Sequence, residues 1–353
     1  MERRRNEPLS TQVKRKVSSA KSTFEKEEKE GSFAKGRIST GSTLLDLAIS
    51  GGRVWGGGLP GGIFVEIFGP AGSGKTVLLC EIAGDVQRKG GEVTFHDPEA
   101  RLNPTFAKMF GLKITKDNYK RPNVVPEVFK AVRKWEPENT DVINGIMADS
   151  LAALSTNLEM EKEEGDKMGG RRAKEFSEEL RRTCRILSEK NYLMVASNQI
   201  RENMDAGAWG PKYVVPGGKA MEHYPSLRLK VQVKKKLTIE KSFHGKAVKR
   251  IIGVESEVEV YKSSIWKPYR TAPVTIIFDY GIDDIRQNLQ FVKEYSKKGV
   301  YTVGSDTLDK SMDKAISIVE KEGMEDALKQ EVIILWGKIE HEFDSSHRKP
   351  RRS

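Results

Sequence analysis

Short apolar runs alternate with helical periodicity from about residue 36 to about residue 285. Ile63–Phe68, Glu92–His96, Val142–Ala148 and Tyr192–Ser197 read as strands buried on both faces, because apolar residues run through them without strict alternation. Val77–Gln87, Pro126–Lys134 and Ala173–Lys190 repeat apolar positions at helical spacing and read as the helices between those strands. This alternation predicts an α/β fold, with a mostly parallel central sheet covered by helices on both faces. Further on, Leu227–Val233, Val254–Tyr261 and Val274–Phe278 follow one another without long helices, which predicts an antiparallel extension of the sheet.

The two ends differ from this core over residues 36–285. Residues 1–35 are polar and charge-dense, with Val13, Val17, Phe24 and Phe33 among their few apolar groups. They read as a helical or partly disordered N-terminal arm that needs a partner to bury its few apolar groups, and docking on a neighbouring subunit is one way to do so. From Asp284 the pattern turns helical. Met312–Lys321 and Met324–Phe343 follow a short Gly299–Gly304 segment, and a small α+β C-terminal domain is expected over residues 286–345. Residues 346–353 form a basic tail.

Composition narrows the function classes. At 353 residues the chain can bury one large core with smaller attachments. The formal charge of +11 favours a polyanionic partner such as nucleic acid, with solubility alone as the plainer alternative. No apolar run reaches the length of a membrane span, and Glu2-Arg3-Arg4-Arg5 does not resemble a secretion signal, so a cytoplasmic protein without a membrane partner is expected. Cys80 and Cys184 read as reduced, buried thiols. The five histidines show no zinc-ligand spacing, so a metal is expected to arrive with a nucleotide.

The most specific local signal is Gly69-Pro70-Ala71-Gly72-Ser73-Gly74-Lys75-Thr76, which fits G-x-x-x-x-G-K-[ST] in full. An apolar strand precedes it, and a helix starting with Val77 follows. In that setting the glycines let backbone amides converge on phosphate oxygens at a helix N-terminus. Lys75 is expected to reach the β- and γ-phosphates of ATP, and the Thr76 hydroxyl to ligate Mg²⁺. Asp149 ends the apolar run Val142–Ala148, where the second metal-binding acid is expected. A strand-end aspartate is also a common helix N-cap, but the upstream loop favours the metal role. Glu99 follows Val93–His96 at the expected carboxyl edge of the sheet. Its position alone fits a catalytic carboxylate and a solvated loop carboxylate equally well.

Five motifs in one order resemble the RecA recombinases of bacteria and their phages. Ile38-Ser39-Thr40-Gly41-Ser42 with Leu45-Asp46 resembles that family's entry into the ATPase core. Asp97-Pro98-Glu99-Ala100-Arg101-Leu102-Asn103-Pro104 is similar to its D-A-E-H-A-L-D-P, and Asp149-Ser150-Leu151-Ala152-Ala153-Leu154 to its D-S-V-A-A-L. Asn198-Gln199-Ile200-Arg201 is its N-Q-I-R, and Gly217-Gly218-Lys219-Ala220 is similar to its G-G-N-A. The resemblance implies a RecA-like P-loop ATPase core with Glu99 as the catalytic glutamate. It implies Phe106 stacked on adenine, Asn103 at the base, and Gln199 sensing the γ-phosphate. It also implies two DNA-binding loops. One spans about residues 163–174, with Met168, Gly169, Arg171, Arg172 and Lys174. The other spans about residues 201–219, with Arg201, Met204, Trp209, Lys212, Gly217, Gly218 and Lys219.

The expected activity is DNA-dependent ATP hydrolysis coupled to homologous pairing and strand exchange. The implied partners are single-stranded DNA, homologous duplex DNA and further copies of the chain in a helical homo-oligomer. A ring-forming helicase or DNA-remodelling ATPase on the same core is the alternative, and a metabolite kinase is a third. Some positions depart from the family. Lys262 matches the first of two lysines that reach the neighbouring ATP, but Ser264 stands at the second, with Lys267 nearby. The basic pair that helps hold a second DNA falls at Glu257 and Glu259, which leaves the stretch Lys230–Lys241 with Lys246, Lys249 and Arg250 for that role. The basic tail stands where the family has an acidic one.

Overall fold

The computed structural model describes residues 21, 33–156, 169–202, 213–214 and 218–343. Most of the expected arm and all of the basic tail lie outside the described residues.

A nine-stranded sheet organises the fold, in the order β11-β10-β9-β8-β1-β5-β4-β2-β3. Its parallel half comprises β1 (Ile63–Gly69), β2 (Val93–His96), β3 (Tyr119–Lys120), β4 (Asn144–Ala148) and β5 (Tyr192–Gln199). β8 (Leu227–Phe243) joins β1 in parallel. β9 (Lys246–Ser263), β10 (Thr271–Ile277) and β11 (Gly281–Ile282) then extend the sheet antiparallel, as the uninterrupted strand pattern predicts.

Alternation along the central strands divides the core into two layers. Phe64, Ile146, Met194 and Ala196 pack with α4 (Val125–Lys134) and α5 (Gly169–Lys190), through Val128, Phe129, Phe176 and Leu180. Val65, Ile67, Met147 and Val195 face the other way, toward α1 (Thr43–Ser50) and α2 (Lys75–Arg88). That second layer runs on into α7 (Asp284–Ser296), α8 (Met312–Glu322) and α9 (Glu325–Glu342) through Leu289, Val319 and Val332. The Gly299–Gly304 segment contains β12 (Thr302–Val303), which pairs with β13 (Asp306–Thr307).

Several elements differ from the sequence pattern for local reasons. β4 begins at Asn144, because the Asn144 amide bridges the backbone. Its oxygen accepts from Glu92 N at 2.7 Å, and its nitrogen donates to Asn139 O at 2.7 Å. A short α3 (Pro104–Met109) starts on Asn103, whose side chain accepts from Thr105 N. The Ser39–Asp46 motif is a structural clasp. Buried Asp46 accepts from Ser39 Oγ at 2.5 Å, Thr40 N at 2.8 Å and Thr40 Oγ1 at 2.7 Å, holding the turn that leads into α1.

The largest difference is the β8–β9 hairpin, which continues well past the predicted strands to a two-residue turn at His244-Gly245. Both turn residues have positive φ, 48° and 75°. Such a turn matches the twist of a two-residue hairpin.

Candidate nucleotide-binding and catalytic site

The phosphate loop rests on a close approach between strands. Gly69 ends β1, and a Cβ there would lie 2.2 Å from Val231 O on β8. Gly74, at φ 99°, leads into α2 without a side-chain cap, and a Cβ on it would meet Ile276 at 2.3 Å. The first amides of α2 therefore stay open to an anion at the positive end of the helix dipole. The loop is braced from behind: Ser256 Oγ donates to Ser73 O at 2.9 Å, and Ser73 Oγ to Pro70 O at 2.8 Å.

A cleft of about 490 Å³ opens at this end of the sheet. Its lining includes Ala71, Gly72, Lys75 and Thr76 of the loop together with Glu99, Asn103, Phe106, Asp149 and Gln199, which come from three other chain segments. Lys75 folds back on the loop, donating to Gly69 O at 3.0 Å and Pro70 O at 2.7 Å. Burial lowers its pKa, while the Asp149 and Glu99 carboxylates act in the opposite sense. Thr76 Oγ1 donates to Asp149 Oδ2 at 2.6 Å, and Ser197 Oγ donates to Asp149 Oδ1. Val77 packs against the core beside the loop.

Glu99 meets three groups across the cleft. Arg101 Nη1 lies 2.8 Å from its Oε2, Gln199 Nε2 lies 3.4 Å from Oε1, and Ser150 Oγ lies 3.5 Å from Oε1. The turn carrying Glu99 is pinned by Asp97, whose Oδ2 accepts from Leu102 N at 2.8 Å and from Tyr119 Oη at 2.7 Å. Phe106 stacks edge-on against Phe110, with ring centroids 4.9 Å apart. Asn103 lines the same cleft, but its side-chain oxygen is already committed to the cap of α3.

Other sequence-derived candidates stand elsewhere. Lys262 Nζ donates to the carbonyls of Glu222 at 2.9 Å and His223 at 2.7 Å, at the end of α6 (Lys219–His223). Burial and nearby Arg228 lower its pKa. Lys267 Nζ stands 5.6 Å from the Trp266 ring. The first expected DNA loop is shortened, because α5 begins at Gly169 and residues 169–174 are helical. Arg-Arg-Ala-Lys-Glu is a strong helix-forming run, and Phe176 anchors it in the core. Lys174 is exposed on that helix. In the second segment, β6 (Arg201–Glu202) pairs with β7 (Tyr213–Val214), and Gly218 leads into α6 at exposed Lys219. Met168, Met204, Trp209, Lys212 and Gly217 lie outside the described residues.

Sequence reasoning missed Arg101, Ser150 and Ser197 as cleft groups, and it missed the buried bridge behind them. Glu66 on β1 accepts from Asn198 Nδ2 at 3.0 Å and from Arg228 Nε at 2.6 Å. The Arg228 guanidinium also lies over the rings of Phe68 and Tyr261, at 4.7 and 5.4 Å. A lone glutamate within the apolar run Ile63–Phe68 was the available signal.

A glycine loop that opens a helix N-terminus beside a strand-end aspartate places the chain in the P-loop class of nucleotide-binding folds. Residues 13–283 match the RecA N-terminal domain family, and the chain belongs to that family. It is 31% identical to the protein RecA of Crocosphaera subtropica over 288 residues, covering 80% of this chain and 78% of the relative. It is 32% identical to that of Borrelia hermsii over 289 residues, 81% and 77% of the two chains. Against that of Thermus thermophilus it is 33% identical over 251 residues, 70% and 68%. No described helix is long and apolar enough to cross a membrane.

Proposed function

We propose that this chain is an ATP-dependent DNA recombinase, which forms helical filaments on single-stranded DNA and promotes homologous pairing and strand exchange. The observation that carries this reading is the convergence of Lys75, Thr76, Asp149, Glu99 and Gln199 on one cleft, with Gln199 at the start of the segment leading to β6 and β7. Family membership supports nucleotide binding at this cleft.

In this reading the loop amides and Lys75 take the β- and γ-phosphates of ATP. The hydroxyl of Thr76 and the carboxylate of Asp149 fit Mg²⁺, a hard cation that keeps several waters and needs few protein ligands when phosphate is present. Glu99 positions and deprotonates the attacking water, and Phe106 and Asn103 border the adenine. With its oxygen capping α3, Asn103 has its amide N–H groups to offer the base. Gln199 exchanges its contact with Glu99 for the γ-phosphate and passes that change to residues 201–219. Together with residues 163–174, these hold the DNA strand. The arm over residues 1–35 docks on the next core, a heterologous contact that builds a filament and brings Lys262 toward the neighbouring ATP. The core over 36–285, the C-terminal domain over 286–345 and the tail over 346–353 are the working units, and a cytoplasmic location follows from this reading.

ATP turnover measured with and without single-stranded DNA tests the proposal. Strong stimulation and open helical filaments under electron microscopy are expected. Turnover indifferent to DNA would remove the recombinase reading, and closed rings would replace it with the helicase alternative.

A further inference from the structure

The helix that Asn103 starts also orients its amide. The side-chain oxygen accepts from Thr105 N at 2.8 Å, and the backbone carbonyl accepts from Ala107 N at 2.9 Å, the two bonds of an N-cap. Pro104 brings no N–H, so Thr105 carries the first donor of α3 that needs an acceptor. Turning the amide over would set its N–H groups against that donor, with no acceptor between them. The oxygen is held on the cap, and the branch left for the cleft is the nitrogen, which only donates.

The carboxylates of the cleft have partners of their own. Asp97 Oδ2 accepts from Leu102 N and Tyr119 Oη, both oxygens of Asp149 accept from hydroxyls, and Glu99 is engaged by Arg101 and Gln199. Phe106 offers a ring face, which stacks on any base and does not tell one purine from another. Purines differ in what they present at positions 6 and 7. Adenine presents the N6 amino donor beside the N7 acceptor, whereas a 6-oxopurine presents two acceptors, O6 and N7. An asparagine reads adenine with its oxygen on N6 and its nitrogen on N7. That mode needs the oxygen that α3 has taken. N–H donors alone suit the two acceptors of a 6-oxopurine.

We propose that Asn103 opens this cleft to 6-oxopurine nucleoside triphosphates, such as GTP and ITP, beside ATP. This rests on the nucleotide-binding reading above and deepens it by naming the class of base. The triphosphate is common to all of them, so Lys75, Thr76 and Asp149 take no part in the choice. Discrimination falls on one edge of the base. There the Asn103 amide donates to O6 of a 6-oxopurine, while adenine sets its own N6 donor against the amide and keeps only N7 as acceptor. Asn103→Asp reverses the preference: one carboxylate oxygen keeps the cap, and the second accepts from N6 and repels O6. Asn103 is exposed, so water competes for the contact, and the change in preference is about tenfold rather than the far larger factor of a buried site.

The test is competition of ATP and of ITP against a fluorescent ATP analogue, on the full-length protein with Mg²⁺ at neutral pH. ITP is the probe because it carries O6 without the 2-amino group of GTP. The wild type should bind ITP no more than about threefold more weakly than ATP, and Asn103→Asp should shift the ratio of the two affinities toward ATP by about tenfold. Aspartate caps a helix as well as asparagine does, so α3 should form in both proteins. Should that variant bind neither nucleotide, Asn103→Ser, which caps without an amide, must shift the ratio the same way. A wild type that prefers ATP by more than about threefold overturns the inference, and so does a shift of less than about threefold in the variant. A wild type that binds neither triphosphate overturns the nucleotide reading and this inference together. Binding of both, with turnover indifferent to single-stranded DNA, removes the recombinase reading and leaves the inference standing.

Discussion

Gln199 Nε2 stands 3.4 Å from Glu99 Oε1, although 100 residues separate them in the chain. β5 and β2 end at the same edge of the sheet with β4 between them, which brings the two side chains together. An amide that holds a carboxylate at the mouth of a phosphate loop can exchange that partner for a phosphate. The first two predictions concern this carboxylate.

Replacing the carboxylate with an amide separates binding from turnover. Glu99→Gln keeps the side-chain volume but cannot accept a proton, so ATP should bind normally while DNA-stimulated hydrolysis falls by about 10²–10⁴. A steady-state phosphate-release assay beside a nucleotide-binding titration checks this. Ordinary turnover would move the base to another residue.

Arg101 restrains the same carboxylate from the solvent side, at 2.8 Å and with its own side chain 78% exposed. An exposed pair contributes at most about 1 kcal/mol, so Arg101→Ala should raise DNA-independent ATP turnover by no more than about fivefold. The gain should shrink as salt is added, because screening already weakens the pair in the wild type. A rate that falls instead would make Arg101 a partner of the nucleotide.

Lys75 is buried against its own loop carbonyls, with its pKa lowered by burial. Lys75→Ala should abolish tight binding of a fluorescent ATP analogue at every pH. Retained binding would place the phosphates elsewhere.

The bridge from Glu66 to Arg228 is fully enclosed, with side chains 0% and 6% exposed. Removing one partner leaves a buried charge, so Arg228→Met should cost about 3–5 kcal/mol. Glu66→Gln/Arg228→Met should recover much of that loss. Thermal unfolding of the wild type, Glu66→Gln, Arg228→Met and the double variant checks the cycle, and an additive double variant would refute it.

Glu81 on α2 supplies a pH dependence. Burial raises its carboxyl to about 7, aided by Asp284 and Asp85 and opposed by Arg88 and the Ile282 amide. The native state therefore holds a proton that the unfolded chain gives up near pH 4.5. Its effect on stability is fully present below that value and is lost as pH rises to about 7. Glu81→Gln should be close to the wild type at pH 5 and more stable at pH 8, by about 3 kcal/mol at most. Denaturant titrations at the two pH values would expose an error if the difference ran the other way.

The central sheet was legible because its strands are apolar throughout and its helices keep their period, and burial enforces both patterns. The phosphate loop was legible for a related reason: only glycine tolerates the positive φ of Gly74 and the approach of Val231 O to Gly69. By contrast, the ribbon beyond Val233 was invisible. Lysines carry no strand signature, and pairing there is set by the His244-Gly245 turn and the partner strand. Lys75, Thr76 and Asp149 could be named as candidates from sequence because each sits inside a local motif, and the structure brings all three to one cleft. That Gln199 and Ser150 both meet Glu99, and that Arg228 bridges Glu66 beneath the rings of Phe68 and Tyr261, only the tertiary structure decided. Strand order brings together groups tens to hundreds of residues apart, and no local periodicity records which ends become neighbours.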